Sequence, residues 1–409
     1  MAKIRKTSVV DSTASVETEA PANKYYLLIS ERYMRAKYFL IIFLVLFLAI
    51  VIFLFKVNIT YANLMYLMRD LNSGDASYSV GFDPIKYDEQ DNMNFTIFRD
   101  ELAVIGNRSL KFYNTKGKEN RNYELGYLDP VIVSSDKYLV AYDIGTDSYS
   151  VFTSLAKVNS GIAEGNIESA HVNDKGEYLL VCRSDETKYV VYTFDSSFRA
   201  IAKYYKNRYI TSAAISEDSD VVIASFNSDG TGFDCEIELY RDGQESPAEV
   251  YKENGVFPVK CGIWDNGAYY VICTDRVLFF DNNGRLVKNN VRTGGYTSFS
   301  EGDGTLALAA SGDVLGDTSE VSVFDSTGEL LYNNSIDSSI SSLALSKNEV
   351  FVLADEAVYM ISLEDNKTDM IDLPGGGDMI FFTGSSALVC RRDGAEGIDF
   401  SDSAADNVK

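Results

Sequence analysis

The side chains that could carry chemistry are few, and the single histidine is the first of them. His171 is the only histidine among 409 residues, which excludes a metal site built from several histidines and leaves little room for His-based acid–base catalysis. It lies in a strand-like segment that leads into a polar turn at residues 173–176. Because no partner motif accompanies it, we expect a structural or surface residue.

Five cysteines are the next candidates, and their surroundings favour burial over reactivity. They are Cys182, Cys235, Cys261, Cys273 and Cys390. Most end apolar runs such as YLLVC and YYVIC, where a free Cys behaves as a small hydrophobic residue. The odd count and the absence of a C-x-x-C pair argue against a disulfide framework and a redox motif. Only Cys261 and Cys273, on adjacent predicted strands, could be bridged.

Two acidic loops are the remaining lead for a bound ion. Residues 227–234 (NSDGTGFD) and 313–318 (DVLGDT) lengthen two predicted hairpins. Neither has the ligand spacing of a Ca²⁺-binding loop, so solvated turns are the simpler interpretation and weak cation binding is the alternative. The chain also has no P-loop, dinucleotide-binding or nucleophile-elbow motif. We therefore predict no catalytic, cofactor-binding or metal-binding residue, and no cofactor.

Composition indicates a folded protein that does not bind nucleic acid. The net charge is −23, so phosphate groups would be repelled. Hydrophobic residues make up 46% of the chain, with 27 Tyr and 23 Phe, which is far too rich for a disordered protein. The lone Trp264 precedes an Asp, but no second Trp-Asp pair occurs. This pair is therefore a coincidence and not a WD40 signature.

One segment has the length and polarity of a membrane span. From Tyr38 to Phe55 the chain reads YFLIIFLVLFLAIVIFLF without a charged residue, which as a helix would span roughly 27 Å. The run is longer than the apolar part of a signal peptide and is not followed by a small-residue cleavage site. We expect an uncleaved signal anchor that places this segment in the lipid bilayer.

Basic residues predict the orientation of that anchor. Seven precede it and two follow it closely: Lys3, Arg5, Lys6, Lys24, Arg32, Arg35 and Lys37, then Lys56 and Arg69. The positive-inside rule places the N-terminus in the cytoplasm and the long C-terminal part outside the cell. Residues 1–56 carry a net charge of +4, which leaves −27 for the remainder.

The predicted organisation has five parts. Residues 1–37 form a disordered, basic cytoplasmic tail and residues 38–55 the membrane helix. Residues 56–76 form a short amphipathic helix and linker, with an apolar stripe of Tyr61, Leu64, Met65 and Met68. Residues 77–401 form an all-β domain, and residues 402–409 a disordered tail.

Repeats within residues 77–401 predict a β-propeller. An apolar strand followed by Asp-x-x-Gly and another strand recurs as VLFFDNNGRL and VSVFDSTGEL, with weaker copies elsewhere. The matched turn acids Asp195, Asp242, Asp281, Asp325 and Asp365 are 39 to 47 residues apart, a period typical of four-stranded propeller blades. Polar turns also precede apolar runs such as EYLLVC and AYYVIC, which predict strands buried on both faces.

The repeats predict eight blades. Units begin near residues 93, 130, 166, 208, 256, 296, 338 and 377, and the weak second unit leaves seven blades as the alternative. The last unit has three strands. Because an open ring would expose sheet edges, we expect the segment Ser77–Asp83 to supply its fourth strand.

The strand–Asp-x-x-Gly-x-Leu pattern is similar to the outer-strand turns of PQQ-like propellers. The order of basic tail, membrane helix, short helix and propeller resembles an uncharacterised domain-of-unknown-function family of bacterial membrane-anchored propeller proteins. This resemblance covers roughly residues 37–400 and implies a fold but no reaction. The regular docking Trp of quinoprotein enzymes is missing, with Tyr332 at one such position.

The leading hypothesis is therefore a membrane-anchored, extracytoplasmic propeller that binds a partner protein without catalysing a reaction. The competing hypothesis is an enzyme, sensor or quinone-binding protein with its site in the propeller channel. The missing Trp pattern and the scarcity of His count against that second hypothesis.

Overall fold

The computed structural model describes residues 24–54 and 81–400, except residues 229, 231, 293–294, 303, 313–317 and 385. The chain divides into two compact units, Met1–Leu71 and Asn72–Lys409. The first contains a helix and the second contains β-strands.

Helix α1 spans Lys24–Leu54. Within it, Ile29–Ile50 is long and apolar enough to cross a membrane, with 22 residues and a mean hydropathy of 2.0. The prediction that residues 1–37 are entirely disordered is wrong for residues 24–37, which are helical. Extending a helix that has already nucleated costs little, and Glu31 and Arg35 form an i,i+4 ion pair at 3.3 Å. The predicted amphipathic helix at residues 56–76 and the tail at 402–409 lie outside the described residues.

The second unit contains eight antiparallel sheets of four strands each. Strand β1 (Ile85–Lys86) comes first in the chain and belongs to the last sheet. Blade 1 contains β2 (Asn94–Phe98), β3 (Glu101–Ile105), β4 (Ser109–Tyr113) and β5 (Glu119–Glu124). Blade 2 contains β6 (Pro130–Ser134), β7 (Tyr138–Asp143), β8 (Ser148–Thr153) and β9 (Lys157–Ile162). Blade 3 contains β10 (Ile167–Val172), β11 (Tyr178–Arg183), β12 (Tyr189–Phe194) and β13 (Ala200–Lys206). Blade 4 contains β14 (Tyr209–Ile215), β15 (Val221–Ser228), β16 (Phe233–Tyr240) and β17 (Glu249–Asn254).

The remaining four blades repeat this order. Blade 5 contains β18 (Pro258–Ile263), β19 (Tyr269–Cys273), β20 (Arg276–Phe280) and β21 (Leu286–Val291). Blade 6 contains β22 (Tyr296–Gly302), β23 (Thr305–Ser311), β24 (Ser319–Asp325) and β25 (Leu330–Ile336). Blade 7 contains β26 (Ile340–Leu345), β27 (Glu349–Ala354), β28 (Ala357–Ser362) and β29 (Thr368–Asp372). Blade 8 contains β30 (Met379–Thr383), β31 (Ser386–Cys390), β32 (Gly394–Ile398) and β1.

The eight sheets form the blades of one β-propeller, which confirms the all-β prediction of eight blades and excludes seven. Strand β2 contacts both β6 and β30, so the first strands of the blades lie at the centre and the ring is closed. The first strands begin within two residues of the predicted unit starts. Second strands such as β19 and β31 are buried at every position, because each is covered by the neighbouring blades.

The repeated Asp builds the turn between the third and fourth strands. In blade 5, the Asp281 carboxylate accepts hydrogen bonds from the backbone N–H groups of Asn283 and Arg285, both at 2.9 Å. These hydrogen bonds hold the pKa of Asp281 below its ordinary value. Gly284 has φ +83°, a conformation that disfavours other residues. The Asp thus supplies the acceptor of this turn, and Gly suits its positive-φ position, which Phe198 occupies in blade 3 with φ +63°.

The ring is closed by the N-terminal segment of the propeller. Ile85 pairs with Ala395, and Lys86 pairs with Gly394. An N-terminal strand completes the last blade, as predicted. That strand is Ile85–Lys86 and not Ser77–Asp83. Residues 77–80 of the predicted segment lie outside the described residues. The Tyr87 hydroxyl lies 2.5 Å from the carbonyl oxygen of Arg391 and 2.7 Å from that of Gly394. It can donate to either carbonyl, which fixes the end of the closing strand.

A buried ion pair joins blades 3 and 4. Lys206 at the end of β13 is 8% exposed, and Glu238 in β16 is 6% exposed. The Lys206 Nζ lies 2.5 Å from the Glu238 Oε2. The Tyr240 hydroxyl donates to the other Glu238 oxygen at 3.1 Å and also contacts the Lys206 ammonium. This arrangement satisfies charges that would otherwise be costly between two blades.

Candidate functional site

The linker from the closing strand to blade 1 is the longest of the connections between blades. It covers residues 87–93, whereas the other linkers have two to six residues. Its Gln90 Oε1 accepts hydrogen bonds from the backbone N–H groups of Arg108 and Ser109, at 3.2 and 3.3 Å. Gly106 allows this approach, because a Cβ there would lie 2.5 Å from the Gln90 Cβ. The linker is therefore held against the β3–β4 turn.

A cleft of about 670 Å³ lies between this linker and the end of blade 1, and we call it the linker cleft. Its walls come from the linker, the β3–β4 turn, β4, β5 and the residues that follow β5. The lining residues are Asp88, Gln90, Asn107, Arg108, Ser109, Lys111, Asn122, Glu124, Leu125 and Gly126. This volume is typical of small-ligand pockets and of recesses that hold part of a peptide.

The cations of the cleft have partners. The Lys111 Nζ lies 3.5 Å from Glu119 and 3.8 Å from Asp88, and its side chain is 16% exposed. The Arg108 Nη2 donates to the backbone carbonyl of Glu89 at 3.1 Å. Lys111 is therefore paired with carboxylates, whereas the exposed Arg108 guanidinium has a neutral carbonyl as its partner.

The acids of the cleft are more open. The Asp88 side chain is 86% exposed, and its contact with Lys111 is long. Glu124, the last residue of β5, is exposed and has no hydrogen-bond or ion-pair partner in the part of the chain that the structure describes. The linker and β5 thus each contribute a carboxylate to the cleft that is available to a ligand.

Two uncharged polar side chains of the cleft are also open. The Asn107 Oδ1 is buried and has no hydrogen-bond partner among the residues described. Asn122 is exposed and likewise has none within those residues. A buried amide oxygen normally accepts a hydrogen bond, so Asn107 indicates that a donor from a ligand or solvent completes this site.

The chemistry available in the linker cleft is recognition. Its lining contains neither His nor Cys, and no base lies within hydrogen-bond distance of the Ser109 hydroxyl among the described residues. A serine without a base is a weak nucleophile. The carboxylates, amides and hydroxyl together form a set that can hold a polar ligand through hydrogen bonds and charge.

The residues singled out from the sequence lie elsewhere. His171 is in β10, where its Nδ1 accepts a hydrogen bond from the backbone N–H of Ile215 in blade 4, at 3.3 Å. Burial and the nearby Lys260 ammonium lower the pKa of His171 to about 3. The imidazole is therefore neutral at physiological pH and joins two blades.

All five cysteines are buried and free, including Cys261 and Cys273. Burial raises the pKa of every one of these thiols, so thiolate is scarce at neutral pH. Trp264 is also buried, with its ring centroid 5.0 Å from that of Tyr270 and 6.4 Å from that of Phe279. These residues belong to the core of the blades.

In the acidic loop at residues 227–234, of which residues 229 and 231 lie outside the described residues, Asp234 is engaged by contacts within the protein. The Asp234 carboxylate accepts from Arg208 at 2.9 Å and from the backbone N–H of Asn227 at 3.1 Å. Residues 313–317 of the other loop lie outside the described residues. Over the described ranges, no group of three or more His, Cys, Asp and Glu side chains is arranged to hold a metal ion.

The sequence pattern did not point to the linker cleft. One signal was available, because the acid-rich stretch KYDEQDNM at residues 86–93 stands between the closing strand and the first blade. Its contact with Arg108 and Ser109 depends on how the linker folds over a turn of blade 1. No repeat or motif in the sequence indicates that contact.

The described residues define the class of protein, which is an eight-bladed β-propeller preceded by an N-terminal apolar helix. Residues 77–396 match the model of a family of unknown function, DUF5711, and the chain belongs to that family. Comparison with curated proteins gives no match.

Two solved structures illustrate the likeness of fold. Sqt1 from Saccharomyces cerevisiae has a TM-score of 0.56 and 10% identity, over 78% of this chain and 99% of that chain. BamB from Moraxella catarrhalis has a TM-score of 0.53 and 12% identity, over 78% of this chain and 97% of that chain. At such low identity the similarity concerns the fold alone.

Proposed function

We propose that this protein is a single-pass membrane protein whose propeller lies outside the cytoplasm and serves as a non-catalytic binding platform for a partner protein. The observation that carries the binding role is the linker cleft, which presents the open carboxylates of Asp88 and Glu124 and a buried Asn107 Oδ1 without a hydrogen-bond partner among the described residues. Side chains in this state favour a ligand that supplies hydrogen-bond donors.

The proposed membrane anchor is helix α1, in the first unit of the chain. An apolar helical span of 22 residues is sufficient to cross the hydrocarbon layer. The excess of basic residues before it favours a cytoplasmic N-terminus, as the positive-inside rule requires. The strongly acidic propeller then faces the outside, where it would attract basic partners.

Protease treatment of intact cells tests this topology. We expect the propeller to be degraded from outside while residues before the helix stay protected. The intact mass of the membrane-extracted protein should include residues 1–55, since a cleaved signal sequence would lose them. Protection of the propeller, or a missing N-terminus, would contradict the proposed anchoring.

Cross-linking in the native membrane tests the binding role. Wild-type protein should give a discrete cross-linked species with a partner, whereas a variant with Asp88→Asn and Glu124→Gln should give less of it. Absence of any partner for the wild type would count against a platform. Turnover of a substrate by the purified protein would count against the non-catalytic role.

A further inference from the structure

We infer that residues 29–37 of helix α1, which we call the juxtamembrane segment, bind anionic phospholipids at the membrane surface. This inference rests on the membrane anchor of the proposed function and adds the class of lipid that the anchor recognises. It is carried by the length of the helix, by the positions of its basic side chains and by the partners that these side chains have or lack.

Helix α1 is longer than a bilayer requires. It has 31 residues, whereas a membrane span needs about 17–25. Residues 38–54 contain no charged side chain, but the juxtamembrane segment contains four. Because a charged side chain in the hydrocarbon layer is costly, the bilayer should enclose the uncharged part. The juxtamembrane segment then continues the same helix into the headgroup layer.

The basic side chains of this segment lie at the depth of the lipid phosphates. Arg32 precedes Tyr38, the first residue of the uncharged part, by about 9 Å along the helix axis. Arg35 and Lys37 are closer to it, and each headgroup layer is about 5–8 Å thick. Side chains on a helix lean toward its N-terminus, which directs the Lys37 ammonium away from the hydrocarbon. Tyr33 and Tyr38 are exposed, and tyrosines are favoured at this boundary.

The charges of the juxtamembrane segment select an anion. Three bases and one acid give it a net charge of +2. The acid, Glu31, pairs with Arg35 at 3.3 Å, and both side chains are largely exposed. Arg32 and Lys37 are exposed and have no ion-pair or hydrogen-bond partner among the residues that the structure describes. Two cations therefore remain available to a ligand.

The position of these cations selects a lipid as the anion. Lipid phosphates are present at that depth at high local concentration, and basic residues beside a membrane span attract anionic lipids. A zwitterionic lipid carries its own ammonium next to the phosphate, so a lipid with a net negative charge gains more. Arg32 and Arg35 are three residues apart and lie on the same side of the helix. A guanidinium can hold a phosphate through two N–H groups at once.

The test uses the full-length protein in phosphatidylcholine vesicles that contain a trace of spin-labelled lipid. Electron paramagnetic resonance measures how much of the labelled lipid is immobilised beside the protein. We expect labelled phosphatidylglycerol to be favoured over labelled phosphatidylcholine by about threefold or more, and the preference to shrink at high salt. Both leaflets carry the label, so the orientation of the protein in the vesicle has no effect. Equal immobilisation of the two lipids would overturn the inference.

Two variants test the basic side chains themselves. Arg32→Gln with Arg35→Gln and Lys37→Gln removes all three charges, and we expect it to immobilise the two labelled lipids equally. Arg32→Lys with Arg35→Lys keeps the charge at both positions, and we expect it to retain the preference for phosphatidylglycerol. An unchanged preference in the first variant, or its loss in the second, would contradict recognition by charge at these positions.

A control variant separates the juxtamembrane segment from the total charge of the N-terminal part. Lys3→Gln with Arg5→Gln and Lys6→Gln removes the same three charges from positions that precede helix α1. We expect this control to keep most of the preference. Equal losses in the control and in the juxtamembrane variant would show that total charge and not the helical segment collects the lipid, and would refute the inference.

The anchor and the lipid preference fail in different ways. Release of the protein from the vesicles by alkaline carbonate would contradict the membrane span, and the inference with it. If the protein stays in the vesicles but immobilises both lipids equally, the inference is wrong and the anchor stands. Fluorescence of the buried Trp264 should be the same in all variants, which shows that the propeller remains folded.

Discussion

Replacement of Lys206 by Met is the sharpest test of how the blades are held together. Lys206 is the last residue of β13, at the edge of blade 3, and it pairs at 2.5 Å with Glu238 in blade 4. Met keeps most of the length of the apolar stem and removes the ammonium group. Glu238, which is 6% exposed, then retains the Tyr240 hydroxyl as a donor and loses its counter-charge.

The expected loss follows from the burial of both groups. Exposed ion pairs contribute about 0–1 kcal/mol, whereas removing one partner of a buried pair costs about 3–5 kcal/mol because the other charge stays desolvated. We expect Lys206→Met to lower the free energy of unfolding by about 3 kcal/mol. The double variant with Glu238→Gln should recover most of this loss, because no buried charge is left unpaired.

Urea titration of the detergent-solubilised protein measures the effect. Trp264 is the only Trp and is buried in blade 5, so its fluorescence reports the unfolding of a blade distant in sequence from the substitution. Lys203→Met is a control from the same strand, since its Nζ pairs at 2.7 Å with the largely exposed Glu164. A loss below about 1 kcal/mol for Lys206→Met, equal to that of the control, would refute the claim that burial makes this pair important.

Three other measurements test separate features. Gly328→Ala should destabilise the propeller more than Gly126→Ala. Both glycines have positive φ, but only a Cβ at Gly328 would lie 2.6 Å from the Phe279 ring. Equal losses of unfolding free energy in urea titrations would refute a steric cause. The His171 imidazole resonances of the folded protein should stay constant from pH 8 to pH 5. The free energy of unfolding should fall as the pH drops below about 6.5, because the unfolded state takes up a proton at His171 that the folded state excludes. Titration of His171 between pH 5 and pH 8 in the folded protein would contradict this. The five cysteines should react slowly with iodoacetamide at pH 8 until urea unfolds the protein, and rapid labelling of a folded thiol would contradict their burial.

The blade architecture was accessible from the sequence because it depends on local chemistry that repeats. Each Asp-x-x-Gly turn needs an acceptor at its first position and, as Gly284 shows, positive φ at its fourth. Each second strand needs apolar residues on both faces. These requirements recur at nearly constant spacing, so eight units could be counted even though the second is weak.

The parts that the sequence did not reveal depend on contacts between distant segments. Lys206 ends a strand in which exposed residues alternate, so the sequence pattern alone indicates a surface lysine. Its pairing with Glu238 of the next blade is known only from the structure. The linker cleft depends on Gln90 reaching the turn at Arg108. The closing strand was misplaced by a few residues because Ile85 and Lys86 have no distinctive pattern of their own.

The pairing of Ile85 with Ala395 has a consequence for biosynthesis. Strand β1 is synthesised before all other strands of the propeller, but its partner β32 is synthesised last. Blades made of consecutive strands can form as they appear, but the ring cannot close until translation is almost complete, which gives this one contact a very high sequence separation. A chain truncated within blade 8 would therefore not become a smaller propeller. It would keep an unpaired strand at one end and an uncovered blade at the other, and both are surfaces that promote aggregation.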